Sequence, residues 1–223
     1  MPINIPEITV FNAVNNCLKY LRDDFKRHNK EEDTFLYRNF NGIKTNDNSI
    51  NFYDQAKKLL IVNEKRSRDL KIAMGYNLER AAMPTIHVIV PSEQAGGYDG
   101  IGVDHGYQPE DDSNYPKTST ISFSRSFKAQ YNLLMTSDNI FEVLIMYHVV
   151  RALIISMIPM LDAKSQMKDI RLSGQDITLQ QDLMPSNINH RILAISFSYD
   201  VDVQNIEERD DITTTKFKPK IKI

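Results

Sequence analysis

Hydrophobic positions near the start of the chain follow a helical rhythm. Ile8, Phe11, Val14, Leu18, Leu21 and Phe25 recur at three- and four-residue spacing, and Lys19, Arg22, Asp23, Asp24 and Lys26 fall mainly between them. That spacing predicts an amphipathic helix of roughly five to six turns, wide enough in its apolar stripe to lie on a sheet or another helix. Cys17 sits beside the stripe and reads as a small buried residue rather than a reactive thiol. Residues 29–50 are polar and broken around one apolar island, Phe35, Leu36 and Tyr37, and read as a loop holding one short element. A second, shorter helix is expected over 53–62 with Ala56, Leu59 and Leu60 inward, and a strand over 69–76.

Alternation then replaces the helical period. Between Pro84 and Pro91, Ile86, Val88 and Val90 alternate with Thr85, His87 and Ile89, so the two prolines bracket a strand. His87 lies on its more polar face and reads as a satisfied surface or half-buried histidine rather than a ligand. Over 120–136 one face holds Ile121, Phe123, Phe127, Ala129, Tyr131, Leu133 and Met135, and the other Ser122, Ser124, Ser126, Lys128, Gln130 and Asn132. A strand of that length reaches roughly 50 Å, beyond the usual span of a strand. Part of it is therefore expected to leave the domain body as a hairpin-like arm.

An apolar helix is predicted over 140–158, with Asn139 and Glu142 as a capping pair, Ser137 and Asp138 as competing caps, and Pro159 as its stop. Apolar residues surround it nearly completely, which predicts burial on most sides. Glu142, Tyr147, His148 and Arg151 interrupt the run, and the cost of charge near the centre of a span favours a core helix over a membrane one. His148 is expected to be a core histidine with a hydrogen-bond partner. Residues 171–179 read as a short strand broken at Gly174. In the last strand Leu193, Ile195, Phe197, Tyr199, Val201 and Val203 face one way, while Ala194, Ser196, Ser198, Asp200 and Asp202 make a solvated face. The elements add up to an α+β fold: one domain over 1–206, with a mainly antiparallel sheet and helices packed on one side.

Composition bounds this picture without redirecting it. A chain of 223 residues with 41% hydrophobic and 25% charged residues suits one generous domain with a real core. Its formal net charge of −2 argues against a general nucleic-acid binder. A local surplus exists beyond 206: Glu207, Glu208, Asp210 and Asp211 precede Lys216, Lys218, Lys220 and Lys222, so 207–223 reads as a charged tail. With Cys17 as the only cysteine, neither an intrachain disulfide nor a cysteine metal site is expected, in keeping with synthesis in a reducing cytosol. The first residues lack the basic and apolar regions of a signal peptide.

Candidate chemistry concentrates in the Gly- and Asp-rich segment 92–118, a long loop or arm. Gly100, Gly102 and Gly106 have the outline of a phosphate-cradling turn, but Glu110, Asp111 and Asp112 follow where an anion-binding helix would start. Asp99, Asp104 and His105, with Asp111 and Asp112, offer oxygen and imidazole ligands to a hard cation, though without the spacing of a calcium loop. A metal-dependent enzyme using Asp99, Asp104 and His105 is the catalytic alternative. Nucleophile-elbow, zinc-protease and P-loop motifs do not occur, so no catalytic residue, cofactor site or metal site is assigned and no enzymatic activity is expected.

Several segments in order resemble one family. They are the proline-bounded strand 83–93, residues 131–139 leading into the apolar helix, the turns at 172–177 and 182–187, and His190-Arg191 leading to 197–203. Together they look like the tail-terminator and neck (head-to-tail connector) proteins of tailed bacteriophages, over about residues 52–206. The resemblance implies a structural virion protein made in the host cytoplasm and placed in the neck or tail. It implies a homo-oligomeric ring, with a hexamer as the first expectation and a dodecamer as the second. The implied partners are a neighbouring neck or portal-side ring and the tail tube. Genomic DNA would pass through the lumen without specific binding, and no membrane or catalytic residues are implied. A ring of the head-to-tail passage in a short-tailed phage, or a baseplate component, are the alternatives. The face with Asp200 and Asp202 is expected to line the lumen and repel phosphate, and the Lys-alternating segment 215–223 to add a strand to a neighbour's sheet.

Overall fold

The structure is a computed structural model that describes residues 5–46, 50–61, 70–75, 84–95, 118–165, 167–175 and 188–208. Of 91, 95, 118–125, 164–165, 175 and 202–208 only the backbone is described. The elements run α1 (Pro6–Arg27), a 3-10 turn (Glu31–Asp33), α2 (Phe35–Phe40), α3 (Phe52–Leu60), β1 (Lys71–Met74), β2 (Thr85–Ala95), β3 (Thr118–Ser137), α4 (Ile140–Ser165), β4 (Lys168–Gln175) and β5 (Asn189–Glu208). The strands form one sheet in the order β1-β2-β3-β5-β4, antiparallel except for the β1–β2 pair. This is the expected α+β architecture with a mainly antiparallel sheet.

Burial sets the layers. α1 packs on β1, β2 and α4, while α4 lies over β3, β5 and β4. Val14, Cys17 and Leu21 of α1, Met146, Val150 and Leu153 of α4, and Tyr131, Leu133 and Leu193 of the sheet share one core. The buried stripe of α1 is rotated from the expected one: Val10, Ala13, Val14, Cys17, Leu18 and Leu21 face in, while Ile8 is 47% exposed. α1 lies in the angle between the sheet and α4, so its contact arc extends past the Phe11–Phe25 line. The opposite face of the sheet carries a smaller buried cluster of Leu134, Ile192 and Ala194, with Ile89 against it. Ala194 therefore departs from the solvated face expected for it.

Three punctuation marks in the sequence have different consequences from those expected. Pro91 does not end β2. The register shifts between Ile89 and Ser92, so Val90 and Pro91 together face Tyr131 in a bulge, a place where the missing N–H costs no ladder bond. The strand continues to Ala95, inside the expected loop 92–118, whose last residue likewise opens β3. Pro159 lies inside α4, which runs on to Ser165; Pro159 is itself exposed, so any local bend meets solvent rather than core. Gly174 does not break β4. It pairs with Leu193 and leaves room for Tyr147, whose hydroxyl occupies the space a side chain there would need.

The start of α4 is held by a relay. Asn139 Oδ1 accepts the Phe141 N–H at 2.9 Å, Ser137 Oγ accepts the Asn139 N–H at 3.2 Å, and the Ser137 hydroxyl donates to Glu142. The expected pair is thus present, but Glu142 reaches Ser137 instead of closing directly on Asn139. α2 ends at Asn41, followed by Gly42 at φ 84, the left-handed residue that lets the chain turn back. By length and composition α4 is apolar enough to cross a membrane, yet its Val143, Met146, Val149, Val150 and Leu153 are core residues.

Candidate assembly surfaces

Two features stand out once the core is accounted for, and the first is a two-stranded arm. β3 and β5 pair over all 20 residues of each. β2 accompanies β3 only as far as Phe127, and β4 accompanies β5 only as far as Ser198. Residues 118–126 and 200–208 therefore form a ribbon with no third strand among the described residues, reaching roughly 30 Å beyond the five-stranded body. The arm is not a hairpin: its strands are distant in sequence, and the chain arrives at 118 and leaves at 208, both at the tip. β5 also takes in the first two residues, 207 and 208, of the expected charged tail.

The root of the arm is built for a change of direction. Bulges occur in both flanking strands at nearly one level, Val90–Pro91 facing Tyr131 and Asp169–Ile170 facing Phe197. Asp169 takes φ 54, a conformation Asp tolerates better than most side chains. Bulges sharpen the local twist, so the sheet turns where it narrows. Aromatic rings fill the bend: Tyr131 stacks on Phe197 at 5.4 Å between centroids, and Phe127 on Tyr199 at 5.8 Å. The Tyr199 hydroxyl donates to Glu93, and burial, reinforced by Glu93, holds this phenol well above its usual range. Burial with Glu7 nearby does the same to Tyr131. Both phenols stay protonated, and Tyr199 acts as a hydrogen-bond donor rather than a base.

The second feature is an apolar surface on the outer side of α4. Ile140, Phe141, Ile155 and Met160 are all at least 39% exposed, on the helix expected to be buried on most sides. A cavity of about 340 Å³ opens beside its first turns, walled by Phe40, Ile43, Ile50, Phe52, Phe141 and Leu144. The far wall is sequence-built: Thr45 N–H donates to Ile50 O at 3.1 Å and Phe52 N–H to Ile43 O at 2.9 Å, holding 43–45 against 50–52. Asn51 then caps α3 through the Tyr53 N–H at 3.1 Å. Tyr53 and Lys57 of α3 both hold Glu31, the tyrosine at 2.8 Å, and these bonds keep the Glu31 carboxyl below the usual range. His148 is exposed at the cavity wall with its ring edge-on to Phe52 at 6.2 Å, and is not the core histidine expected.

The remaining candidates are structural. Cys17 is fully buried 3.0 Å from Met157 Sδ, and burial pushes its thiol up to about 12. His87 is buried rather than half-buried, its Nδ1 3.3 Å from the Gly75 carbonyl. Asp24, a buried carboxylate, accepts the Phe35 N–H at 2.6 Å and ties α1 to α2. Asp200 pairs with Lys168 at 2.9 Å, so it does not present a bare negative charge on the open sheet face. Asp99, Asp104 and His105, the turn at 182–187 and the tail beyond 208 lie outside the described residues. Among the described residues no group of three or more His, Cys, Asp or Glu side chains is placed to hold a metal. No protein-family model matches the chain, and no curated protein matches it either.

The exposed side of α4 is masked in the sequence for a definable reason. His148, Arg151 and Asp162 recur along one side at helical spacing and mark a solvent-facing line, but Phe141, Ile155, Pro159 and Met160 share that side and hide it.

Proposed function

We propose that the chain is a structural virion protein that assembles into a ring, a hexamer in the first place, within the head–tail connector of a tailed bacteriophage. It caps the tail tube or joins neck to tail, and acts by assembly rather than catalysis. The observation that carries this reading is the β3–β5 ribbon, which projects as two strands beyond the five-stranded body. A ribbon of two strands is marginal in water on its own, which favours a partner along it. Two exposed apolar groups on the outer side of α4, Ile140 with Phe141 and Ile155 with Met160, support the same reading, because exposed apolar patches mark places where proteins meet. The order of strand, helix and turn segments in the sequence gives the family direction. A heterologous contact, arm onto the neighbour's body, closes into a ring when the rotation per subunit allows it.

Mass photometry and negative-stain imaging of the purified protein across a concentration series test the proposal. Closed rings of uniform subunit number are expected, and truncating the arm (removing 118–122 with 204–208) should leave folded monomers. A protein that stays monomeric at the highest attainable concentration, and equally so in the presence of tail tubes, overturns it.

A further inference from the structure

The open face of the sheet holds a second cavity, of about 310 Å³, at the root of the arm. Two cross-strand rows build it. In one, Gln94 faces Lys128 and Lys128 faces Ser198; in the other, Gln130 faces Ser196 and Ser196 faces Arg171. β5 thus sets short hydroxyl side chains along the floor, while long cationic and amide side chains rise from β3, β2 and β4 on either side. Ser92 and Asp169 complete the lining, and the bulges at Val90–Pro91 and Asp169–Ile170 lie on its two flanks.

The chemistry of this groove is that of donors. Lys and Arg offer only N–H groups, while Ser and Gln can turn a hydroxyl or amide N–H toward a ligand. Of the two carboxylates nearby, Asp200 is paired with Lys168 outside the cavity, and Asp169 is the one carboxylate in its lining. Lys128 and Arg171 are exposed, and neither has a carboxylate within ion-pair distance among the described residues. A polar outer face is ordinary for an antiparallel sheet. A concave one, with the two cations Lys128 and Arg171 flanking a line of hydroxyls and outnumbering its one lining carboxylate, Asp169, is suited to an oxyanion.

We propose that this groove binds phosphate oxyanions and takes the phosphodiester backbone of DNA lying along β5. Choosing DNA as the source rests on the ring reading above; the affinity for phosphate rests on the groove alone. The expectation of a phosphate-repelling face at Asp200 is replaced by one of light, sequence-independent contact.

The test uses the full chain as purified. Labelled duplex DNA is titrated by fluorescence anisotropy over a range of salt, inorganic phosphate serves as competitor, and particle mass is measured on the same samples. One engaged groove with two phosphate contacts gives a slope of log K against log salt of about −2. Lys128→Ala or Arg171→Ala should weaken binding equally for unrelated sequences and reduce the magnitude of that slope by about 1. Lys26→Ala, on the far helix layer, should change nothing. Duplex binding that both variants leave intact overturns the site. Phosphate binding that needs Lys128 and Arg171 but has no duplex counterpart overturns DNA as the ligand. Groove-dependent duplex binding by a protein that never forms rings sustains the site and removes only the ring.

Discussion

Gly174→Ala is a small change with a large expected cost. Gly174 lies on β4 directly below α4, and a methyl built there overlaps the hydroxyl of Tyr147 and comes within 3.0 Å of its Cζ. Tyr147 is 4% exposed, so its ring has little room to retreat. The same ring carries the Arg191 guanidinium 4.2 Å from its centroid, and any displacement loosens that contact too. Overpacking of a closed site costs about 1–3 kcal/mol, and a weakened cation–π contact about 0.5–1 kcal/mol more. Against this, alanine in a strand recovers about 0.5–1 kcal/mol of unfolded-chain entropy. The net expectation is a loss of about 2 kcal/mol, or roughly 4–8 °C in Tm for a chain of this size. Urea unfolding followed by circular dichroism reads it directly. Tyr147→Phe removes the overlapping oxygen, so Gly174→Ala should cost far less in the Tyr147→Phe background, and the double-mutant cycle should show a coupling above 1 kcal/mol, on the order expected for residues in contact. Additive losses, or a Gly174→Ala protein as stable as wild type, would refute the close-approach explanation for this glycine.

Other expectations follow from the same physical reasoning. His87 is held below the ordinary 6.5 by its burial, and His148, exposed on one edge, by the water that the Phe52 and Tyr147 rings exclude from its other side and then by the Arg191 and Arg151 charges. The unfolded chain then takes up protons before the folded one, so their contribution is complete above about pH 6.5 and is lost as pH falls below it. Tm measured from pH 8 to pH 5 should drop, and the drop should shrink in a His87→Gln variant; a flat profile contradicts this. Asp24→Ala leaves the Phe35 N–H without its acceptor and should cost about 1–3 kcal/mol while speeding proteolysis within 28–46; unchanged cleavage rejects the α1–α2 tie. Phe141→Asp and Ile155→Asp, on the exposed side of α4, should dissolve rings yet move folding stability by no more than about 0.5 kcal/mol. Rings that survive both changes remove α4 from the interface. Native Cys17 should resist alkylation at pH 8 and react only in denaturant; labelling of the folded protein would contradict its burial.

Much of the fold was legible because its elements have strong single periods. β3 and β5 alternate so regularly that the inward set Ala129, Tyr131, Leu133, Leu193, Ile195 and Phe197 could be read directly from sequence. What failed were the local signs read alone. Pro91, Pro159 and Gly174 each looked like an end and each lies within a continuous element, because a bulge, an exposed helix flank and a close aromatic neighbour remove the usual penalty. Those neighbours are distant in sequence, so the compensation is invisible until the chain is folded. The candidate surfaces were legible only in part. The length of β3 announced an arm, but its true partner, the second half of β5, lies some 80 residues on, and alternation does not encode pairing.

The arm and the groove belong to one construction. A sheet narrowing from five strands to two must end β2 and start β4 somewhere: β4 starts beside its bulge opposite Phe197, and β2 ends at Ala95, four residues beyond its own bulge opposite Tyr131. On the helix side the bend is filled by stacked aromatics, which make it stiff. On the open side the same bulges flank the concave patch that holds Lys128 and Arg171. Force applied to the arm by a neighbouring subunit would therefore be transmitted to the groove through β3 and β5, the strands that build both. Coupling of this kind is reciprocal. If assembly engages the arm and DNA engages the groove, whichever binds first must alter the affinity for the other by the same factor. Arm-truncated protein should then bind duplex DNA with the affinity of the free wild-type subunit, and only intact rings should show a different value per groove.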